Sequence, residues 1–218
     1  MDFTQLRITM VETQLRTNRV SNAGVVDAFA DVPRENFVPK AARTMAYMDE
    51  DQSFEDGTYL QEPRVFGRMV QEANIQENDL ILDIHSTSGY SAAVLAKLGA
   101  TVVALNADPA LTEKAKANLA DLSIDNVIPV TGALAEGDKE NGPYDVIFIQ
   151  GSAQQVPQAL FDQLAEGGRL LVTMLDKNNL GRTTIYTKND GVVGHVGLFD
   201  AAAKCLPGFE TKKQFVFS

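Results

Sequence analysis

Leu80-Ile81-Leu82-Asp83-Ile84-His85-Ser86-Thr87-Ser88-Gly89-Tyr90-Ser91-Ala92-Ala93-Val94-Leu95-Ala96-Lys97-Leu98 decides the fold. A short apolar run leads through small polar residues into an Ala- and Leu-rich stretch of helical character, which predicts strand, turn and helix. In a doubly wound sheet such a turn aims free backbone N–H groups and a helix N-terminus into a crevice at the carboxyl ends of the strands. The turn is therefore the expected seat of a nucleotide-type cofactor.

The same rhythm continues downstream. Thr101-Val102-Val103-Ala104-Leu105-Asn106 reads as a second strand. Asp108 as cap and Pro109 at the first helical position then open a helix carrying Leu111, Ala115, Leu119 and Leu122 on one face. Residues 126–131 form a third strand and Tyr144-Asp145-Val146-Ile147-Phe148-Ile149 a fourth. A helix begins at Pro157, Gly167-Gly168 ends it, and residues 169–175 give the fifth strand. Strands apolar on both faces that alternate with helices define an α/β fold, a doubly wound, mostly parallel sheet with helices on both faces. Beyond residue 180, two β-rich runs flank Asn189-Asp190-Gly191, a hairpin signal, and residues 214–217 read as a last short strand. The carboxyl-terminal edge is expected to be antiparallel.

Upstream, Phe3, Leu6 and Met10 share a helical face, and a second helix follows a Ser21 or Asn22 cap with Val25, Val26 and Phe29. The prolines of Val32-Pro33-Arg34-Glu35-Asn36-Phe37-Val38-Pro39 break helix and predict Phe37 and Val38 in an extended segment. The acidic residues 48–57 read as a loop, and Pro63 opens a helix with Phe66, Met69, Val70 and Ala73 on one side. One domain over residues 1–218 is expected, with 1–62 a helical extension and substrate loop and 63–218 the sheet core.

Composition narrows the function. With 19 basic and 29 acidic residues the chain carries a net charge of −10, which argues against nucleic acid as a partner. The single cysteine, Cys205, closes no disulfide, and the two histidines, His85 and His195, lie too far apart in sequence to form a metal-ligand motif. No metal is expected. No leader or membrane-spanning stretch is legible, so the expected setting is the cytoplasm, with no membrane partner.

Six motifs occur in an order and spacing that resemble the protein-L-isoaspartate O-methyltransferase family. They are Met10-Val11-Glu12-Thr13-Gln14-Leu15-Arg16, residues 32–39, Ala46-Tyr47-Met48-Asp49, Ser88-Gly89-Tyr90-Ser91-Ala92-Ala93-Val94-Leu95-Ala96, Gly151-Ser152-Ala153-Gln154-Gln155-Val156-Pro157, and Gln163-Leu164-Ala165-Glu166-Gly167-Gly168-Arg169-Leu170. The resemblance implies the S-adenosylmethionine-dependent methyltransferase fold and that cofactor. It also implies a protein or peptide substrate, whose isoaspartyl carboxylate receives the methyl group. Mapped onto this chain it gives a cofactor site of Asp83, His85, Ser86, Thr87, Ser88, Gly89, Asn106, Ala107, Ala133, Leu134 and Gln150. The acceptor site becomes Thr58, Tyr59, Leu60, Gln61 and Glu62, with Gln61 at the family's catalytic serine position.

Four departures from the family pattern stand out. The Gly-x-Gly-x-Gly loop is here His85-Ser86-Thr87-Ser88-Gly89. The acidic residue that accepts both ribose hydroxyls is Asn106, the acidic partner of the adenine amino group is Ala133, and Thr-x-Ser before the proline helix is Tyr59-Leu60-Gln61. Glu62 adds negative charge where an anionic acceptor approaches. Three readings follow: an isoaspartyl methyltransferase, a methyltransferase with a different acceptor, and a descendant without catalysis that acts as a binding protein. Dinucleotide oxidoreductases share the architecture, but G-x-G-x-x-G and its acidic partner are missing.

Overall fold

The computed structural model describes residues 1–211. After α1 (Phe3–Met10), the chain winds through a wider turn at Val11–Leu15 and a tight one at Arg16–Asn18 to α2 (Ala23–Asp31). A small antiparallel hairpin, β1 (Gln52–Ser53) with β2 (Tyr59–Leu60), leads to α3 (Pro63–Ala73). The main sheet then comprises β3 (Leu80–Ile84), β4 (Thr101–Asn106), β5 (Val127–Thr131), β6 (Tyr144–Ala153), β7 (Leu164–Leu175), β8 (Gly181–Asn189) and β9 (Val192–Asp200). Between them run α4 (Tyr90–Leu95), α5 (Pro109–Asp121) and α6 (Gln158–Asp162).

The strand order is β5-β4-β3-β6-β7-β8-β9, with the first four pairings parallel and the last two antiparallel. The chain steps outward from β3 to β5, then crosses back to place β6 on the other side of β3. That reversal opens a crevice outside the carboxyl ends of β3 and β6.

Alternating side chains divide the core into two faces. Ile81, Val102, Ala104, Val146 and Phe148 pack under α1 to α5, while Leu82, Ile84, Val103, Leu105, Ile147 and Ile149 meet α6 and the segment bearing Leu206 and Phe209. The caps follow the sequence: Asn22 accepts from the Val25 amide, Asp108 from the Ala110 amide, and Pro63 and Pro109 occupy first turns. At the antiparallel edge, Asp190 and Gly191 both take positive φ, 51° and 75°, as a two-residue hairpin turn requires.

The structure corrects four expectations. Residues 34–37 form a short 3₁₀ turn, drawn in because the buried Arg34 guanidinium donates to the Ala46 and Gln61 carbonyls. The acidic stretch is no open loop: it contains β1, and its carboxylates serve as acceptors. Asp51 takes the Tyr59 hydroxyl and Glu62 amide, and Asp56 takes the Thr58 amide. Gly167-Gly168 does not end α6, which stops at Asp162; Gly167, at φ 76°, lies within β7. The fourth strand runs on to Ala153. The strand expected at 214–217 lies outside the described residues.

Arg169 at the start of the long straight part of β7 locks several of these elements together. Its guanidinium donates to the carbonyls of Ala73, Asn74 and Asp145 and to the Asp79 carboxylate, 2.6 Å away. Both side chains are largely shielded from solvent. Arg169→Met leaves a shielded carboxylate and three carbonyls without their donor. It is expected to cost about 3 kcal/mol, read as a lower urea midpoint with an unchanged m-value.

Candidate cofactor crevice and acceptor hairpin

The loop after β3 keeps a glycine-type backbone at positions that mostly lack glycine. His85, Thr87 and Gly89 have φ of 68°, 49° and 93°. A left-handed conformation costs an L-residue roughly 1 to 2 kcal/mol, and it is least accessible to a β-branched one such as Thr87. Asn106, fully buried at the end of β4, offsets part of that cost. Its Oδ1 accepts from the Thr87 amide at 2.6 Å, and its Nδ2 donates to the Thr87 carbonyl at 3.0 Å. The Thr87 hydroxyl donates to the Tyr59 carbonyl at 2.7 Å, which fastens the loop to the β1–β2 hairpin.

Asp83 anchors the other end of the loop. Its Oδ1 accepts from Gln150 Nε2 at 2.8 Å and its Oδ2 from the Ser91 hydroxyl at 2.5 Å. Burial pushes the Asp83 carboxyl up to about 6 against the opposing pull of these bonds. His85 faces the Gln150 carbonyl through Nδ1 at 2.9 Å and stacks on the Tyr59 ring, with centroids 5.6 Å apart and planes 23° from parallel. Because a carbonyl only accepts, Nδ1 carries the proton. Burial, with the Lys204 charge as a smaller contribution, lowers the imidazole below its ordinary pKa and favours the neutral ring.

Other residues named from the sequence fall less centrally. Ala107 and Ala133 are exposed, and Leu134 packs into the second core face. Ser86 and Ser88 are buried, and the Ser88 hydroxyl meets no partner among the described residues. In the acceptor segment, Leu60 is a core residue and Thr58 accepts from Lys114 Nζ at 2.8 Å, which also binds Asp56. The Gln61 carboxamide is buried with neither end hydrogen-bonded among the described residues. Glu62 does not stand as a bare negative charge: Arg64 pairs with it at 2.5 Å. Arg34, Ser91, Lys114 and Lys204 escaped sequence reading because their places depend on tertiary contacts. Arg34 and the serine following Gly89-Tyr90 lie within quoted motifs, whereas Lys114 and Lys204 lie in none.

A crevice at the switch point of a doubly wound sheet, floored by a left-handed loop and capped by a hairpin, belongs to the methyltransferase class of folds. The chain belongs to the protein-L-isoaspartate(D-aspartate) O-methyltransferase family, whose profile matches residues 7–196. A protein-L-isoaspartate O-methyltransferase of Methanoculleus marisnigri is 34% identical over 165 residues, 76% of this chain and 75% of its own length. That of Methylorubrum extorquens is 33% identical over 214 residues, covering 94% and 93%. A solved protein-L-isoaspartate O-methyltransferase superposes with a TM-score of 0.80 at 26% identity, over 93% of this chain and 66% of that one. A Plasmodium falciparum structure described as a putative member in complex with S-adenosyl-L-homocysteine shares the fold, with a TM-score of 0.78 at 21% identity over 92% and 97% of the two chains.

S-adenosylmethionine is the methyl donor of this family. The frame here fits it: the loop takes left-handed φ at 85, 87 and 89, and the Ser88 hydroxyl, without a partner among the described residues, lies in that loop. The side chains at the positions that the resemblance assigns to the ribose and the adenine fit less well, because the Asn106 amide is spent on Thr87 and Ala133 offers no acceptor.

The Asp83 shift carries a pH signature. Its folded pKa of about 6 lies above the ordinary 3.8, so its contribution to stability is complete below 3.8 and is lost as pH rises through 6. The loss amounts to about 3 kcal/mol between pH 3.8 and 7. Asp83→Asn is expected to flatten that part of the stability profile, measured by urea unfolding at a series of pH values.

Proposed function

We propose that this chain transfers a methyl group from S-adenosylmethionine to the free carboxylate of isoaspartyl residues in damaged proteins, a repair reaction of the cytoplasm. The observation that carries the reading is the left-handed frame at residues 85, 87 and 89, held at energetic cost where two glycines have gone. When bound, the cofactor supplies an electrophilic methyl on a sulfonium centre, toward which a carboxylate is a competent nucleophile without a general base. The chain's own work is to orient and to exclude water. The β1–β2 hairpin does this by closing over the loop through the Thr87–Tyr59 bond and the Tyr59–His85 stack. Pairing of Glu62 with Arg64 reduces the repulsion an anionic acceptor meets there.

A second reading, a descendant without catalysis that binds a protein, is favoured by the pair of hydrogen bonds between Asn106 and Thr87. Three altered donor contacts at roughly 1 kcal/mol each lower cofactor affinity about 100-fold relative to a chain that keeps them. Calorimetric titration with S-adenosylmethionine and S-adenosylhomocysteine, followed by methylation of an isoaspartyl peptide, separates the two. The proposal expects weak saturable binding, methyl ester formation, and at least tenfold tighter binding by Asn106→Asp, which offers the diol a carboxylate and cannot donate to the Thr87 carbonyl. No heat at millimolar ligand from folded protein, and no ester, decides for the binding descendant.

A further inference from the structure

Beside the loop lies a cavity of about 140 Å³, lined by Ser53, Thr58, Tyr59, His85, Lys204 and Leu206 with Phe54 and Gly57. Its volume equals that of four or five waters in the liquid, enough for a small polar head group. Among the described residues no aspartate or glutamate lines it, although the chain's net charge is −10. Its cation, Lys204, forms no ion pair among the described residues. The lysine is held there by its backbone: the Ser152 amide donates to the Lys204 carbonyl, and the Leu206 amide donates to the Ser152 carbonyl, both at 2.9 Å.

The histidine supplies a complementary group. With its Nδ1 proton directed at the Gln150 carbonyl, the neutral ring leaves Nε2 as an acceptor, and no hydrogen bond involves that atom among the described residues. The cavity is therefore lined by one residue that carries a cationic donor and one that offers a neutral acceptor, with the Tyr59 ring as an aromatic wall. A carboxylate alone satisfies only the first. A carboxylate on an α-carbon that also bears an amide N–H satisfies both.

We propose that this cavity binds the N-acyl α-amino carboxylate head of the acceptor, with the Lys204 ammonium on the carboxylate and His85 Nε2 accepting the neighbouring amide N–H. An isoaspartyl residue presents this pair of groups on one carbon, so naming it as the ligand rests on the methyl-transfer reading above. The Lys204–His85 pair then selects the acceptor at the edge of the cofactor loop, where His85 stacks on Tyr59 of the acceptor hairpin and the family's loop carries glycine instead of histidine.

The test needs no cofactor. Titration of the ¹⁵N-labelled full chain, monitored at the His85 ring nitrogens, uses N-acetylglycine and an isoaspartyl peptide as probes. N-acetylglycinamide, which lacks the carboxylate, and N-acetylsarcosine, which lacks the N–H, are the controls. The proposal expects a saturable upfield shift of Nε2 with the first two and at least tenfold weaker binding of both controls. Lys204→Met, a change at an exposed side chain, is expected to weaken N-acetylglycine at least tenfold, and Lys204→Arg to restore most of it. Equal binding of N-acetylglycinamide, or an unchanged affinity in Lys204→Met, overturns the proposal. Carboxylate binding in a protein that forms no methyl ester contradicts the methyl-transfer reading alone. Ester formation without carboxylate binding in this cavity contradicts the cavity assignment alone.

Discussion

Thr87 sits at φ 49°, where a β-branched residue is strained, and the site depends on what holds it there. Asn106 answers with an acceptor for its amide and a donor for its carbonyl, and Tyr59 supplies a third bond through its own carbonyl. Three hydrogen bonds at roughly 1 kcal/mol each are comparable to the conformational cost of two non-glycine left-handed residues. The loop shape thus survives its lost glycines because β4 and the hairpin grip it. The same grip withdraws Asn106 from any ligand.

The sheet makes this arrangement possible. Parallel pairing of β3 with both β4 and β6 brings Asp83, Asn106 and Gln150 to one end of the strands, although they are far apart in sequence. From there Gln150 steadies Asp83 through its side chain and His85 through its carbonyl. The acidic hairpin contributes through hydrogen bonds more than through charge: Asp51 and Asp56 accept from neighbouring amides, and Lys114 ties the hairpin to α5.

Much of the fold was legible because it rests on local rules. Apolar runs, caps at Asn22 and Asp108 and a proline at the first position of α3 mark elements whose two-faced burial the sheet then confirms. The turn at Arg34 and the hairpin at 52–60 were not, because buried bonds to distant carbonyls and carboxylates created them. The cofactor loop was legible as a departure from a glycine pattern, but its retained geometry was not, since Asn106 and Thr87 are 19 positions apart. Lys204 gave no sequence signal at all. It reaches the crevice only because residues 203–206 lie against Ser152.

The most direct test of this account is the hydrogen-exchange rate of the Thr87 amide in the free protein. If Asn106 fastens the loop, that amide exchanges as slowly as those of the buried strands β3 and β4 on either side of it, and loses its protection in Asn106→Ala. Exchange at the rate of an open loop in the unaltered chain contradicts it, because the left-handed frame then has no clamp to hold it.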